Sequence, residues 1–329
     1  MYSTSQCAVK IGNKRTEFFH QGCGVNVFNI YINQLANSLE HSPTQNLTLH
    51  DTEIKCLLYA DNLVLLSPTK EGLQDNLNLL ESYCQSWALT VNLQKTKVMI
   101  FQNRSRPQGQ TDTFTLSHRS IETTKTYTYL GLKITSTGNF TVAVKELKEK
   151  AQRAFYAIKR SIKIDIPVQI WFKLFKSIIE PIVLYSSEVW GSSIKSDFLN
   201  WEKHPTETLH LDFCKRTLKV QRKTPNNGCR AELGQYPLIL NIQKRALKFW
   251  KHLKTSDPSS YHYKALKHQE QNPTESPLLQ LVLRLTEHTP AEISQPQDSH
   301  TLTTIRPTQI INTEKDKYWT NTIKIQHKL

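Results

Sequence analysis

Apolar positions recur along this chain with two different periods, and the change between them divides it. Over residues 25–39, Val27, Ile30, Tyr31, Gln34 and Leu35 fall at near-helical spacing and predict a helix. A polar loop with Pro43 follows. Residues 54–58 and 63–66 then read as two short apolar strands, and a tight turn at Tyr59-Ala60-Asp61-Asn62 joins them into a β-hairpin. Ser67-Pro68-Thr69 closes the hairpin and opens a helix over residues 70–87, with Leu73, Leu77, Leu80 and Cys84 on one face. Residues 98–101, 113–116, 121–124 and 127–134 read as short strands, and 103–112 as a polar loop.

From residue 142 the pattern turns helical. Val144, Leu147, Ala151, Phe155, Ile158 and Ile162 form one apolar stripe, with Lys145, Lys148, Arg153, Lys159 and Arg160 off it. Pro167 opens a helix through residue 179, which Pro181 is expected to break or kink. Helices are predicted over 206–220 and 238–254, with 222–234 as a loop. Beyond Asp257-Pro258 the chain is rich in Pro, Thr, Gln and His, and only 278–285 reads as ordered. There is no internal repeat. The expectation is an α+β protein with its boundary near 136–139: a mixed part at 1–137, an all-helical part at 138–255 and a poorly ordered tail at 256–329.

A length of 329 residues, 38% hydrophobic and 21% charged, suits one large or two ordinary globular domains rather than a disordered chain. No apolar run approaches bilayer length, and the first ten residues lack the apolar stretch of a signal peptide, so a cytoplasmic or nuclear protein without a membrane partner is expected. The six cysteines are scattered with no Cys-x-x-Cys pair, which fits buried or half-buried free thiols. His204, His210, Cys214 and Cys229 could be drawn as a zinc set. Their spacing fits no standard finger or knuckle, and Cys214 shares a helix face with Leu211 and Leu218, so core packing is the better reading. Trp171, Trp190, Trp201 and Trp250 interleave with basic residues. They could stack on bases, but half-buried core is the commoner role for such tryptophans.

Charge changes the picture. Residues 141–255 hold 22 Lys and Arg against 10 Asp and Glu, whereas 1–140 hold 12 against 10 and 256–329 hold 8 against 8. A local excess of +12 creates a field that suits a polyanion, with RNA or DNA the expected partner and no obligate protein partner evident. The alternative is a solvated helix surface.

Asp61 stands at the tip of an apolar hairpin. A carboxylate held rigidly there is what a Mg²⁺ site for phosphoryl transfer needs, although an Asp-Asn turn between strands is also ordinary structure. Tyr59-Ala60-Asp61-Asn62 resembles motif C of reverse transcriptases, which reads Tyr-Ala-Asp-Asp, with Asn62 in the last place. Gln21-Gly22-Cys23 followed by Phe28-Asn29-Ile30-Tyr31 resembles motif B. Trp87, Val91-Asn92, Lys95-Thr96 and Met99 resemble motif D as LINE-type (non-LTR) retrotransposon enzymes write it. Tyr129-Leu130-Gly131 followed by Ile134 resembles motif E, the primer grip. The resemblance covers most of residues 18–255. It implies a palm with a small antiparallel sheet and helices, followed by a basic, all-helical thumb, and an ancestral RNA-templated DNA synthesis with Mg²⁺. By the same resemblance Asp61 is a metal ligand and Lys95 a cation near the leaving pyrophosphate. Gln21 and Gly22, with Tyr59 and Ala60, line the template or nucleotide, and Tyr129, Leu130 and Gly131 support the primer end.

Three departures point to an inactive, truncated copy. Motif A, the partner carboxylate element, has no counterpart among the residues before Gln21, and Glu17 and Glu40 lack its surroundings. Asn62 replaces an acid. Only four residues separate Cys23 from Phe28, which shortens motif B. On this reading the hairpin keeps one unpaired edge in a sheet of three or four strands and the protein is poorly soluble, unless residues 7–11 pair with it instead. The other readings are a nucleic-acid-binding module that never depended on catalysis, and a retroelement relic without function.

Overall fold

The computed structural model of the protein describes residues 6–7, 10–11, 14–15, 19–20, 24–45, 47–101, 112–194, 198–286 and 306–326. These form two compact units, Met1–Lys125 and Thr126–Leu329.

The first unit begins with four two-residue strands: β1 (Gln6–Cys7), β2 (Lys10–Ile11), β3 (Lys14–Arg15) and β4 (Phe19–His20). β1 pairs with β4 and β2 with β3, both antiparallel. Helix α1 (Gly24–Glu40) follows, with Ile32, Leu35 and Leu39 buried. Strands β5 (Leu47–Leu49) and β6 (Thr52–Ile54) make one hairpin, and β7 (Cys56–Tyr59) and β8 (Asn62–Leu65) the next. Helix α2 (Lys70–Ser86) starts where the Thr69 hydroxyl accepts the Gly72 N–H at 3.2 Å, which satisfies one of the orphan donors of the first turn. It buries Leu77, Leu80 and Tyr83. After β9 (Lys97–Val98) come β10 (Phe114–Leu116) and β11 (Arg119–Thr123), in the order β10-β11-β9 with the β11–β9 pair parallel. The Gln74 side chain pins this sheet to α2. Its amide nitrogen donates to the Thr115 carbonyl at 2.8 Å and its oxygen accepts the Thr115 N–H at 3.0 Å.

Two sequence expectations are corrected here. Among the described residues the β7–β8 hairpin is a two-stranded sheet by itself rather than part of a three- or four-stranded one, so both outer edges lack a strand partner. The described residues of 7–11 do not pair with it, because Cys7 pairs with Phe19 and Ile11 with Lys14. The hairpin instead packs by its side chains. Cys56, Leu58, Leu63 and Leu65 lie against the cluster of Ile32, Leu35, Leu39, Leu80 and Tyr83.

The second unit opens with β12 (Thr126–Tyr129) and β13 (Leu132–Thr135), an antiparallel hairpin where the apolar pattern alone read as one strand. The turn was legible in Gly131. Leu130 and Gly131 both have positive φ, 46° and 81°, the geometry of a two-residue turn that follows strand twist. Helix α3 (Thr141–Ser161) buries Ala143, Val144, Leu147, Ala151 and Phe155. Pro181 does not end the next helix. α4 (Val168–Leu174) loosens into a π-helical turn, Phe175–Ile179, and resumes as α5 (Glu180–Val183). The wider turn sits just ahead of the residue that lacks an N–H and accommodates it. Short α6 (Ser187–Trp190), a 3₁₀ turn at Gly191–Ser193 and α7 (Phe198–Trp201) lead to α8 (Pro205–Thr217). The loop expected over 222–234 contains helix α9 (Asn226–Glu232). Helix α10 (Leu238–Thr255) runs through the centre with Ile239, Leu240, Ile242, Ala246 and Leu247 at 0% exposure, so the whole unit is assembled around it. Gly191 allows α10 that close, since a Cβ there would sit 2.1 Å from the Ile242 Cγ2.

The described residues of the tail include helices too. α11 (Tyr261–Gln271), α12 (Pro277–Thr286) and α13 (Pro307–Gln326) are formed, and α13 lies on α10. Its polar composition hid the few apolar anchors that dock it, Ile311 and Tyr318 among them. Trp190, Trp201 and Trp250 are core residues at 1–2% exposure and Trp171 is half-buried. No described helix is long and apolar enough to cross a membrane.

Candidate functional site

The β7–β8 hairpin presents Asp61 at its tip. Tyr59 and Asn62 are the last cross-strand pair, so Ala60 and Asp61 form the turn, with Ala60 at φ 51°. Tyr59, Asp61 and Asn62 are exposed. Lys55, just before β7, holds the hairpin's base. It is 3% exposed, and its ammonium donates to the Glu40 carbonyl at 3.3 Å, to the Ser42 carbonyl and to the Ser42 hydroxyl at 2.9 Å. A buried cation thus caps the C-terminal end of α1, where carbonyls lack helical partners. The sequence reading missed it. A lysine between two apolar residues on a strand, Ile54 and Cys56, was the available signal.

The donor set at the tip does not fit a pair of divalent ions. Asp61 brings one carboxylate. The neighbouring Asn62 is neutral, and its amide nitrogen donates to Asp61 Oδ1 at 3.4 Å. Among the described residues no three His, Cys, Asp or Glu side chains gather as a metal cluster, at the tip or among His204, His210, Cys214 and Cys229.

Lys95 lies on a loop built by Asn92. The Asn92 Oδ1 accepts the N–H groups of Gln94 and Lys95 at 3.1 and 3.2 Å, and its carbonyl accepts the Thr96 hydroxyl at 2.9 Å. This is a side-chain-templated turn, and it leaves the Lys95 side chain exposed. Gln21 and Gly22 lie outside the described residues. Tyr129, Leu130 and Gly131 sit at the tip of the β12–β13 hairpin, in the second unit with the basic helices.

On α3 the apolar stripe is packed, so the opposite face must carry the charge. Lys145, Arg153, Lys159 and Arg160 are exposed there and Lys148 is half-buried. On the same helix, the Tyr156 ring centre lies 5.4 Å from the Arg216 guanidinium of α8. Arg216 also donates to Asp212 at 2.8 Å.

Behind this face lies a buried polar network that no periodicity announced. Glu207 is fully buried and accepts Arg230 Nη2 at 2.8 Å and the Ile239 N–H at 2.8 Å, where it caps the start of α10. Arg230 Nη1 donates to the Tyr318 hydroxyl of α13 at 3.0 Å, which donates to Asn227 at 2.8 Å. Burial alone would raise the Glu207 pKa. His210, 3.8 Å away, the Arg230 charge and the Ile239 N–H outweigh it and hold the carboxyl below its usual range. His210 answers in the opposite sense. Burial would lower it, but Cys214 and Glu207 hold its imidazole at about 9.

Residues 13–134 match the family model for the reverse transcriptase (RNA-dependent DNA polymerase). The chain is 24% identical over 225 residues to the RNA-directed DNA polymerase from mobile element jockey of Drosophila melanogaster, covering 63% of this chain and 24% of that protein. Part of this chain is thus similar to reverse transcriptases. A transposon-derived protein of Caenorhabditis elegans is also similar, 28% identical over 137 residues, covering 41% of this chain and 48% of that one. The matched segments thus span less than half the length of either relative. The reverse-transcriptase match contains the Asp61 hairpin, the Lys95 loop and the Tyr129-Leu130-Gly131 turn, and it stops seven residues before α3 begins.

Proposed function

We propose that this chain is the palm-to-thumb portion of a LINE-type reverse transcriptase, that it binds RNA or DNA through the basic face of its helical unit, and that it does not polymerise on its own. The observation that carries the binding is on α3, where one face is packed into the core and Lys145, Arg153, Lys159 and Arg160 stand exposed on the rest. Exposed cations on a helix attract phosphates without reading bases, so binding is weakly selective for sequence. The similarity to an RNA-directed DNA polymerase supports the substrate class. The Asp61 and Asn62 tip supports the second half of the proposal. One carboxylate cannot neutralise and space two divalent ions, and Mg²⁺ chemistry in the ancestral enzyme required that pair. Asp61, Asn62 and Lys95 are then vestigial, and Gln21, Gly22, Tyr59 and Ala60 keep at most a template-lining role. Tyr129, Leu130 and Gly131 are assigned to the primer end.

The test uses the full chain. Affinity for duplex DNA, measured by anisotropy across a salt series, should fall steeply, and each Ala replacement among Lys145, Lys148, Arg153, Lys159 and Arg160 should reduce the log-log slope by about 0.9. A flat salt response would refute binding. Primer extension with Mg²⁺ or Mn²⁺ should give no product, and Asn62→Asp should not restore it. Templated product from the unaltered chain would refute the inactive reading.

A further inference from the structure

Helix α4 buries none of its seven residues completely, although five of them are apolar. Its inner side rests on α3 and α8 through aromatic rings. Trp171 meets Phe155 edge-on with ring centres 6.3 Å apart, and Phe172 meets Phe213 edge-on at 5.2 Å. Val168 and Ile170 are left 36% and 39% exposed, and Ile164, in the loop that leads into the helix, is 74% exposed. The end of α8 adds Val220. There the N–H groups of Lys219 and Val220 close the helix on the carbonyls of Arg216 and Lys215, with Lys219 at φ 55°. A residue in the place of Val220 commonly folds back on an apolar residue of the last helical turn. That position holds Lys215, so Val220 finds no apolar cover there and stays 39% exposed.

Two bridges brace these segments. Lys219 pairs with Asp165 at 2.8 Å, and Lys215 donates to the Arg222 carbonyl at 2.7 Å. The Lys219–Asp165 pair is exposed and adds little stability, but it sets the loop of Ile164 beside the end of α8. The surrounding charge is one-sided. Residues 161–173 hold two Lys and residues 213–223 hold five Lys and Arg, with Asp165 the one acid in either segment. Lys163, Arg222 and Lys223 are exposed at the rim. Phosphates can meet these cations, but branched aliphatic side chains neither stack on bases nor bond to phosphates. A nucleic acid would leave their apolar surface in water. A partner that covers both must be apolar on one side and negatively charged around it.

We propose that Ile164, Val168, Ile170 and Val220 form a docking surface for an acidic amphipathic helix of a protein partner, with Lys163, Arg222 and Lys223 meeting its carboxylates. The surface is separate from the polymerase-like hairpins and does not depend on nucleic-acid binding. The experiment uses the full chain and two fluorescein-labelled synthetic peptides of about 15 residues, built from leucine and glutamate in one composition. One carries its leucines on a single helical face, and the other spreads them around the helix. Anisotropy titrations should show the one-faced peptide bound about tenfold more tightly than the other. Ile164→Asp should weaken the one-faced peptide about tenfold, the effect of one branched side chain left uncovered. Because Ile164 stands mostly in solvent, this variant should keep the circular dichroism of the unaltered protein. Should it fail to fold, Val220→Ser decides by the same comparison. Equal affinities for the two peptides, or no loss on Ile164→Asp, would overturn the proposal, since charge alone would then account for binding. An equal loss of duplex DNA affinity on Ile164→Asp would overturn it as well, by giving the surface to nucleic acid.

Discussion

The two units of this chain hold themselves together in different ways. The first carries the Asp61 hairpin and the Lys95 loop and divides its core into two small clusters, one under β7–β8 and one between α2 and the β9–β11 sheet. The second gathers helices α3 to α13 around α10 in one continuous core and threads a charged network through it. Small cores bury less apolar surface per residue and leave less margin against chain entropy. The Asp61 hairpin therefore stands on the weaker support, and the charged helices on the stronger. A motif can keep its residues while the sheet beside it thins, whereas a basic face stays in register only if the packed face behind it is intact.

The comparison predicts two unfolding transitions, and substitutions can break it. The largest effect is expected from Arg230→Ala, which leaves the buried Glu207 without its partner and removes the tie to Tyr318. Urea titration should show about 3–5 kcal/mol lost from the transition of the second unit. A loss in both transitions together would mean that the units do not unfold independently.

The next effect is a pH dependence confined to the same unit. His210 is held at about 9 when folded, above its ordinary 6.5. Folding therefore favours the protonated imidazole, and that stabilisation is fully present below pH 6.5 and lost as pH rises through 9. At most about 3 kcal/mol should disappear over this window. His210→Gln should flatten the profile of the second transition, and an unchanged profile would show that His210 is not the responsible group.

Gly191→Ala should cost about 1–3 kcal/mol, because the new Cβ meets Ile242 on α10 and the helix must move away. Thermal melts that match the unaltered protein would show that the contact can relax. The smallest of the four effects belongs to the first unit. Lys55→Met removes the cation that caps α1 and leaves its carbonyls under-satisfied, costing about 1–2 kcal/mol. Hydrogen exchange should then rise at the end of α1 and in the β7–β8 hairpin, and protection unchanged at both places would refute the capping role.

Sequence by itself determined the α+β class, the long helices α1, α2, α3, α8 and α10 to within a few residues, and the hairpin that carries Asp61. Those elements are written in local terms: helical or alternating periods, proline at a helix start, a polar turn between apolar runs. The basic charge of the helical unit and the reverse-transcriptase resemblance were legible for the same reason, since residue types and their order need no folding. Tertiary structure alone decided the rest. Periodicity could not show that β7–β8 pairs with no further strand among the described residues, because pairing depends on what else reaches its edges. Nor could it show that Lys55 points inward to cap α1, that Glu207 and Arg230 meet across 23 residues, or that Tyr185 clamps a turn 55 residues away. Of the tail, 278–285 was read as ordered, but α13 was missed because it is anchored by a few residues, Ile311 and Tyr318 among them, on a surface that other helices supply. Local pattern records what a segment prefers. Which polar groups are taken out of water, and which partners meet them there, is settled only when distant segments close around one core.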